Sequence, residues 1–359
     1  MHHDLSVFAG PDRTTLFGDL RRANAAGLWS RFYLREIFEE YTCGISALCE
    51  LADEAYLSGH VVRGRPTLLG AFVLEMAAEA ALALRPGVRI TGFTGLVLHR
   101  FMSLQDGRTA VKRIEGRLNG SEVAVTVSGD VVAPDGRVLV HDRVDAEVPV
   151  RLADDLGTVT ADLPAVDGLP LTAGDSGPLA LTGRFASLHD VRAGTLGRWA
   201  RFGFTPGSSW PAGFVTPALL IDAAVQLGLG AATDEVAVPQ RIARIICGPV
   251  GADAGVDGAL LFAEKGSAEG RSIAAGSVTA VDAWGRLLVR LDGTVGGLLA
   301  APAAAPDAGP SAAPAAGSAA VPAIAPAVAP VVAAASPPAA ARDVASAGSP
   351  AAVPAAALS

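Results

Sequence analysis

His60 and Asp222 are the two residues whose surroundings could turn an ordinary side chain into a reagent. His60 sits in Tyr56-Leu57-Ser58-Gly59-His60-Val61-Val62-Arg63-Gly64-Arg65-Pro66, just ahead of the apolar stretch Leu68–Leu84. Glycines on both sides let the backbone turn sharply, which would aim the ring at the start of that stretch. An imidazole there could take a proton at neutral pH; it could equally be a packing histidine. Asp222 sits in Thr216-Pro217-Ala218-Leu219-Leu220-Ile221-Asp222-Ala223-Ala224-Val225-Gln226. Thr216 suits a helix N-cap and Pro217 a first helical residue. Gln226 then falls four residues on, on the face of Asp222. A carboxyl group among apolar neighbours must find a partner or stay protonated, and a protonated one can give a proton away. Alternatively, Asp222 and Gln226 form an exposed polar stripe.

The remaining chemistry-bearing residues point nowhere in particular. His99, His141 and His189 fall in or at the ends of expected strands, and His2 and His3 at the chain terminus. Cys43, Cys49 and Cys247 make no disulfide framework and no zinc spacing, so they are read as buried apolar thiols in a reducing compartment. No metal site is expected. Gly174-Asp175-Ser176-Gly177-Pro178 looks like a protease nucleophile loop, but no matching histidine segment precedes it. The net charge of -8 and the scarcity of clustered cations argue against nucleic acid. Glu75 and Glu79 interrupt the longest apolar run, which argues against a membrane span.

The elements that must position these residues repeat. Pro66-Thr67-Leu68-Leu69 is followed nine residues after Pro66 by Glu75, and Pro217-Ala218-Leu219-Leu220 at the same spacing by Gln226. Gly136-Arg137-Val138-Leu139-Val140 matches Gly285-Arg286-Leu287-Leu288-Val289. The first pair is 151 positions apart and the second 149. Each unit offers one nearly all-apolar helix and a run of strands. In the first these are Arg89–Leu98, Thr109–Leu118, Ser121–Val131 and Arg137–Pro149. In the second they are Leu179–Phe185, Gly197–Phe204, Arg241–Cys247, Gly258–Ala263, Ser272–Val281 and Arg286–Val295. A helix apolar on almost every face must be wrapped, and alanine lets a sheet come close. The expected fold is α+β: a double hotdog, two fused units of a long helix wrapped by an antiparallel sheet.

The expected organisation is a helical edge segment at 1–45, a first unit at 46–150, a linker at 151–174, a second unit at 175–300 and a disordered tail at 301–359. Leu28, Phe32, Leu34, Ile37, Phe38 and Tyr41 recur at turn spacing, which predicts helix over 13–41. The tail holds 28 Ala and 11 Pro in 59 residues with three charges, too little to offset its chain entropy.

His60-x-x-x-Gly64-Arg65-Pro66 leading into Gly70 and Glu75, with Asp222-Ala223-Ala224-Val225-Gln226 in the second half, resembles the dehydratase domain of polyketide synthases. The iterative polyunsaturated-fatty-acid and enediyne synthases are the most similar in flavour. The resemblance runs from roughly Cys49 to Leu299. It departs from the family at Leu69, where proline is usual, at Gly59, where aspartate is usual, and at Gly183-Arg184-Phe185, which stands for a Tyr-Gly-Pro-x-Phe pattern. It implies that His60 and Asp222 meet in one tunnel. It implies dehydration of a 3-hydroxyacyl thioester to a 2-enoyl thioester, with Gly64, Gly70 and Gln226 in support. No cofactor is expected beyond the phosphopantetheine arm of an acyl carrier protein. The expected partners are that carrier, neighbouring synthase domains and a second copy of the chain, and the expected compartment is the cytoplasm. A product-template-like cyclase, a non-catalytic acyl-binding or scaffolding hotdog, and a hotdog thioesterase remain as other readings of the same fold.

Overall fold

A computed structural model describes residues 33–34, 37–41, 43–51, 57–104, 110–133, 135–153, 157–171, 178–204, 214–249 and 256–299. The tail and the expected helix over 13–32 lie outside the described residues. Two helices of fifteen residues, α1 (Gly70–Leu84) and α2 (Ala218–Ala232), lie at the centre. Both are built from alanine and leucine with neither proline nor a run of β-branched residues, so propensity and burial agree. α1 buries twelve of its fifteen residues, including two glutamates, and ends where Pro86-Gly87 cannot continue it.

One antiparallel sheet wraps both helices. Its first half contains β1 (Ile37–Tyr41), β2 (Gly44–Leu51), β5 (Arg89–Leu98), β7 (Ala110–Asn119), β8 (Glu122–Val132) and β9 (Val138–Ala153). Its second half contains β10 (Leu169–Pro170), β12 (Leu188–Ala193), β13 (Gly197–Phe202), β14 (Ala237–Cys247), β15 (Leu260–Glu264), β16 (Ser267–Glu269), β17 (Ser272–Ala274), β18 (Val278–Val281) and β19 (Leu287–Leu298). The order is β1-β2-β7-β8-β9-β5-β14-β19-β18-β15-β13-β12-β10. Outward from the β5–β14 seam, the two sides mirror one another: β9 answers β19, β8 answers β18, β7 answers β15 and β2 answers β13. That symmetry is the double hotdog. A second, small sheet joins β11 (Leu179–Leu181), β3 (His60–Val62), β4 (Arg65–Leu68) and β6 (Met102–Ser103).

The seam depends on Gly92. Its φ is +150°, and a Cβ there would sit 2.0 Å from the carbonyl oxygen of Ile245 on β14. Only glycine lets the two backbones close into a ladder at this point.

Four expectations are corrected. Cys43, expected among the buried thiols, is exposed on the turn between β1 and β2, while Cys49 and Cys247 are buried. Residues 37–41 form β1, paired antiparallel to β2, where turn spacing predicts helix. An edge strand offers unsatisfied backbone groups that a neighbouring segment can pair, and this outweighs a short helical pattern. The region 151–174 is not a plain linker. Residues 151–153 finish β9, Thr160 bridges to Arg286, and β10 pairs with β12. Finally, the helices start 148 positions apart, not 151. Pro217 immediately precedes α2, whereas Pro66 lies inside β4. Glu75 and Gln226 are therefore the sixth and ninth residues of their helices and are not equivalents.

Candidate active site

The hairpin β3–β4 carries His60. It turns through Arg63 and Gly64, both at positive φ, +51° and +76°. On one side β3 pairs with β11, which places Leu181 opposite His60. On the other side β4 pairs with β6, which places Thr67 opposite Ser103. The Thr67 hydroxyl donates to the Arg65 carbonyl at 3.0 Å and lies 2.9 Å from the Ser103 hydroxyl. Thr67 is thus held by Arg65 and Ser103, and its own carbonyl oxygen lies 2.7 Å from Nδ1 of His60.

That contact fixes the tautomer. A carbonyl oxygen can only accept, so Nδ1 carries the proton and donates it, and neutral His60 presents the lone pair of Nε2. Burial pulls the imidazole below its ordinary value of 6.5, against the opposing pull of the Thr67 carbonyl. Neutral His60 is the form that can accept a proton. Its ring leans on Phe185, with centroids 5.7 Å apart. Phe185 closes the short 3-10 turn Gly183–Phe185 and also contacts Phe72 of α1 at 6.0 Å.

Gly59 shows why aspartate is excluded before this histidine. A Cβ at 59 would meet the Thr182 carbonyl oxygen at 2.6 Å and the Phe185 ring at 2.9 Å. The Thr182 amide donates to the Gly59 carbonyl at 2.8 Å, so this close approach anchors the second half against the first.

Asp222 comes from α2. It is the fifth residue of the helix and is buried. Burial raises its carboxyl from 3.8 to about 7, although Gln226 Nε2–H donates to Oδ2 at 2.5 Å and works the other way. The i, i+4 pairing expected from sequence is therefore a direct hydrogen bond, inside the protein rather than on an exposed stripe.

His60, Gly70, Asp222 and Gln226 line one cavity of about 870 Å³. Gly70 opens α1 and no side chain caps that end; the Phe72 and Val73 amides donate to the Leu69 carbonyl, so of the first turn it is Gly70 that meets the cavity, at the positive end of the helix dipole. Leu69, the departure noted in the sequence, is the cap residue and also lines the cavity. Gly64 does not line it; its part is the hairpin turn. His99 reaches the wall but pairs with Glu147 at 3.5 Å on the surface side. Among the described residues there is no cluster of His, Cys, Asp or Glu suited to a metal ion.

Sequence reasoning placed Glu75 in the motif but gave it no part in the site that it organises. Glu75, on α1, is fully buried and spans the two halves. Its Oε1 accepts the Val215 amide at 2.6 Å, and its Oε2 accepts the Thr216 amide at 2.9 Å and the Thr216 hydroxyl. The expected N-cap role of Thr216 is thereby corrected. Its hydroxyl serves Glu75, and Pro217 occupies the cap position. Burial and the neighbouring Glu79 push the Glu75 carboxyl well above the usual range, against the three donors. Glu79 accepts the amides of Tyr33 and Leu34 at 2.9 and 2.8 Å. The signal was in plain view: two acids in an otherwise apolar helix must each be satisfied by something.

Residues 175–302 match a family model described as polyketide synthase dehydratase N-terminal domain. Solved structures match most of the chain. The dehydratase domain from the CurF module of curacin polyketide synthase superposes with a TM-score of 0.61 at 14% identity, covering 74% of this chain and 98% of that one. A trans-AT polyketide synthase dehydratase domain from Brevibacillus brevis gives 0.61 at 16%, covering 76% and 100%. The fold is that of polyketide synthase dehydratase domains. The dehydratase domain of RzxB from Pseudomonas fluorescens agrees, with a TM-score of 0.58 at 14% identity over 73% of this chain and 97% of that one. The stretch matched by the dehydratase family model contains Asp222 and Phe185, while His60 lies upstream of it. No curated protein matches the sequence.

Proposed function

We propose that the protein is a hydro-lyase that dehydrates a 3-hydroxyacyl thioester held on a carrier protein, within polyketide or fatty-acid assembly. The observation that carries this reading is the pairing in one cavity of a neutral, Nε2-presenting His60 with an Asp222 that still holds its proton near neutrality. The two groups come from different halves of the chain.

The thioester carbonyl acidifies the proton on C2. His60 Nε2 takes that proton, and the amide of Gly70, at the start of α1, receives the charge that develops on the carbonyl oxygen. The electron pair left on C2 forms the C2–C3 double bond as the C3–O bond breaks. Asp222 gives its proton to the departing hydroxyl, which leaves as water. His60 ends as imidazolium and Asp222 as carboxylate, and one proton returned from His60 to Asp222 restores the starting state. Gln226 donates to the Asp222 carboxylate and steadies it through the cycle. None of these steps calls on a metal or a redox group.

Neighbouring synthase domains and an acyl carrier protein are the partners this chemistry needs, and the cytoplasm is where such assembly would run. Incubating the protein with a 3-hydroxyacyl pantetheine thioester and following loss of water by mass spectrometry tests the reading. A 2-enoyl thioester should accumulate, and the reverse hydration should start from the enoyl compound. An unchanged substrate would remove the proposal.

A further inference from the structure

Arg63 pays a backbone cost for its position. The hairpin β3–β4 turns through two residues at positive φ, where a turn of this kind favours Asn-Gly or Gly-Gly. Arg63 takes the first of these at +51°, a region that residues with a Cβ rarely occupy. Nothing in the turn requires arginine. Its amide donates to the Pro178 carbonyl at 2.7 Å, as any residue there except proline could.

The side chain is exposed, and Arg63 lines the cavity that holds His60 and Asp222. No described carboxylate forms an ion pair with it. The other cations on that wall differ. Arg100 is engaged by the buried Asp145 and by the Gly129 carbonyl. Arg241 lies on the regular strand β14 and needs no unusual backbone. Strain held at the rim of a cavity, by a charged residue without an ionic partner, is the pattern expected of a ligand contact.

We infer that Arg63 anchors the phosphate of the substrate's phosphopantetheine arm. The inference rests on the dehydratase reading above, because that reading supplies an arm. The spacing fits: three residues of extended strand separate Arg63 from His60, about 10 Å, and the arginine side chain adds to this. A pantetheine carries its phosphate at a distance of that order from the thioester. Anchoring there would add binding energy remote from C2, shared equally by the bound substrate and the transition state. A guanidinium suits a phosphate because its forked donors match two phosphate oxygens.

The test compares two small substrates that share one 3-hydroxyacyl group: the pantetheine thioester and the 4′-phosphopantetheine thioester. With no carrier protein present, acidic side chains of a carrier cannot contribute. The wild-type protein should favour the phosphorylated compound by roughly tenfold in kcat/KM, the worth of one exposed charge-assisted hydrogen bond. That preference should shrink as salt is raised. Arg63→Gln should abolish the preference by raising KM for the phosphorylated compound alone, with kcat unchanged. Arg63→Gly should do the same while keeping or raising the melting temperature, since glycine relieves the positive φ.

Equal wild-type rates on both compounds, or a preference that survives Arg63→Gln, would overturn the anchor and leave the dehydratase reading standing. Equal losses on both compounds would show a structural Arg63 and also overturn it. Failure of the wild-type protein to dehydrate either compound would overturn the dehydratase reading, and the anchor with it.

Discussion

Thr216 gives both its amide and its hydroxyl to Glu75, a residue of the other helix 141 positions away in the chain. This ties the start of α2, and hence Asp222, to α1. Glu75→Gln keeps the size but replaces one acceptor oxygen with a donor, so a buried N–H or hydroxyl loses its partner. We expect a loss of about 1–3 kcal/mol in urea unfolding, together with a fall in kcat because Asp222 is displaced. Thr216→Val removes only the hydroxyl and should cost about 1 kcal/mol. The double variant should lose less than the two single losses combined, because both changes break one contact.

Asp222 makes stability depend on pH in a definite direction. Its folded value of about 7 lies above the ordinary 3.8. The folded state therefore holds its proton more tightly, and stability falls as pH rises from the lower value to the higher. Asp222→Asn removes this penalty. Relative to wild type, the variant should gain roughly 2–3 kcal/mol between about pH 5 and about pH 8. A constant difference across that range would show that the carboxyl titrates normally.

The same two groups set the activity profile. The rate should rise with pH as His60 becomes neutral, with a midpoint below 6.5, and fall again near 7 as Asp222 loses its proton. His60→Ala and Asp222→Ala should each slow dehydration by roughly 10²–10⁴-fold without unfolding the protein. Their combination should cost much less than the product, since both act in one step. Nitrogen NMR of the wild-type protein should show the His60 proton on Nδ1. A proton on Nε2 would contradict the Thr67 contact.

Asp145 offers a test of the frame rather than the chemistry. It is fully buried between Lys112, at 2.6 Å, and Arg100. Asp145→Asn would strand two cations, one of them nearly as buried as the carboxylate itself. The expected loss is about 3–5 kcal/mol in urea unfolding, with the slope of the transition unchanged.

His60 and Asp222 were legible because each is a polar residue in an apolar setting, and such residues must earn their place through a partner. The neighbours that make them reagents were not. Thr67 acts through its backbone carbonyl, which carries no sequence signal. Phe185 is 125 residues from His60 and reaches it only because β11 pairs with β3. The helices were read to within two residues of their starts, and β5 coincides with its predicted span. The strand predicted over Ser272–Val281 breaks into β17 and β18 around Ala275-Gly276-Ser277. Here a Cβ at Gly276 would collide with the Glu264 carbonyl at 2.5 Å, so the chain bends away from a regular ladder. Leu34, Ile37, Phe38 and Tyr41 do fit a helical face, and only the open edge of β2 decides against it.

The mirrored strand order has a historical reading. Leu74 is the fifth residue of α1, as Asp222 is the fifth of α2, so one copy of the unit carries the acid and the other has leucine in its place. His60, in turn, belongs to the copy without the acid. Two identical subunits would have carried this equipment twice, once at each end of their shared axis. The present chain carries one complete set, divided between its two units. Separating the copies would strip Glu75 of its Val215 and Thr216 donors and His60 of the Phe185 ring, so neither half alone would keep a working site.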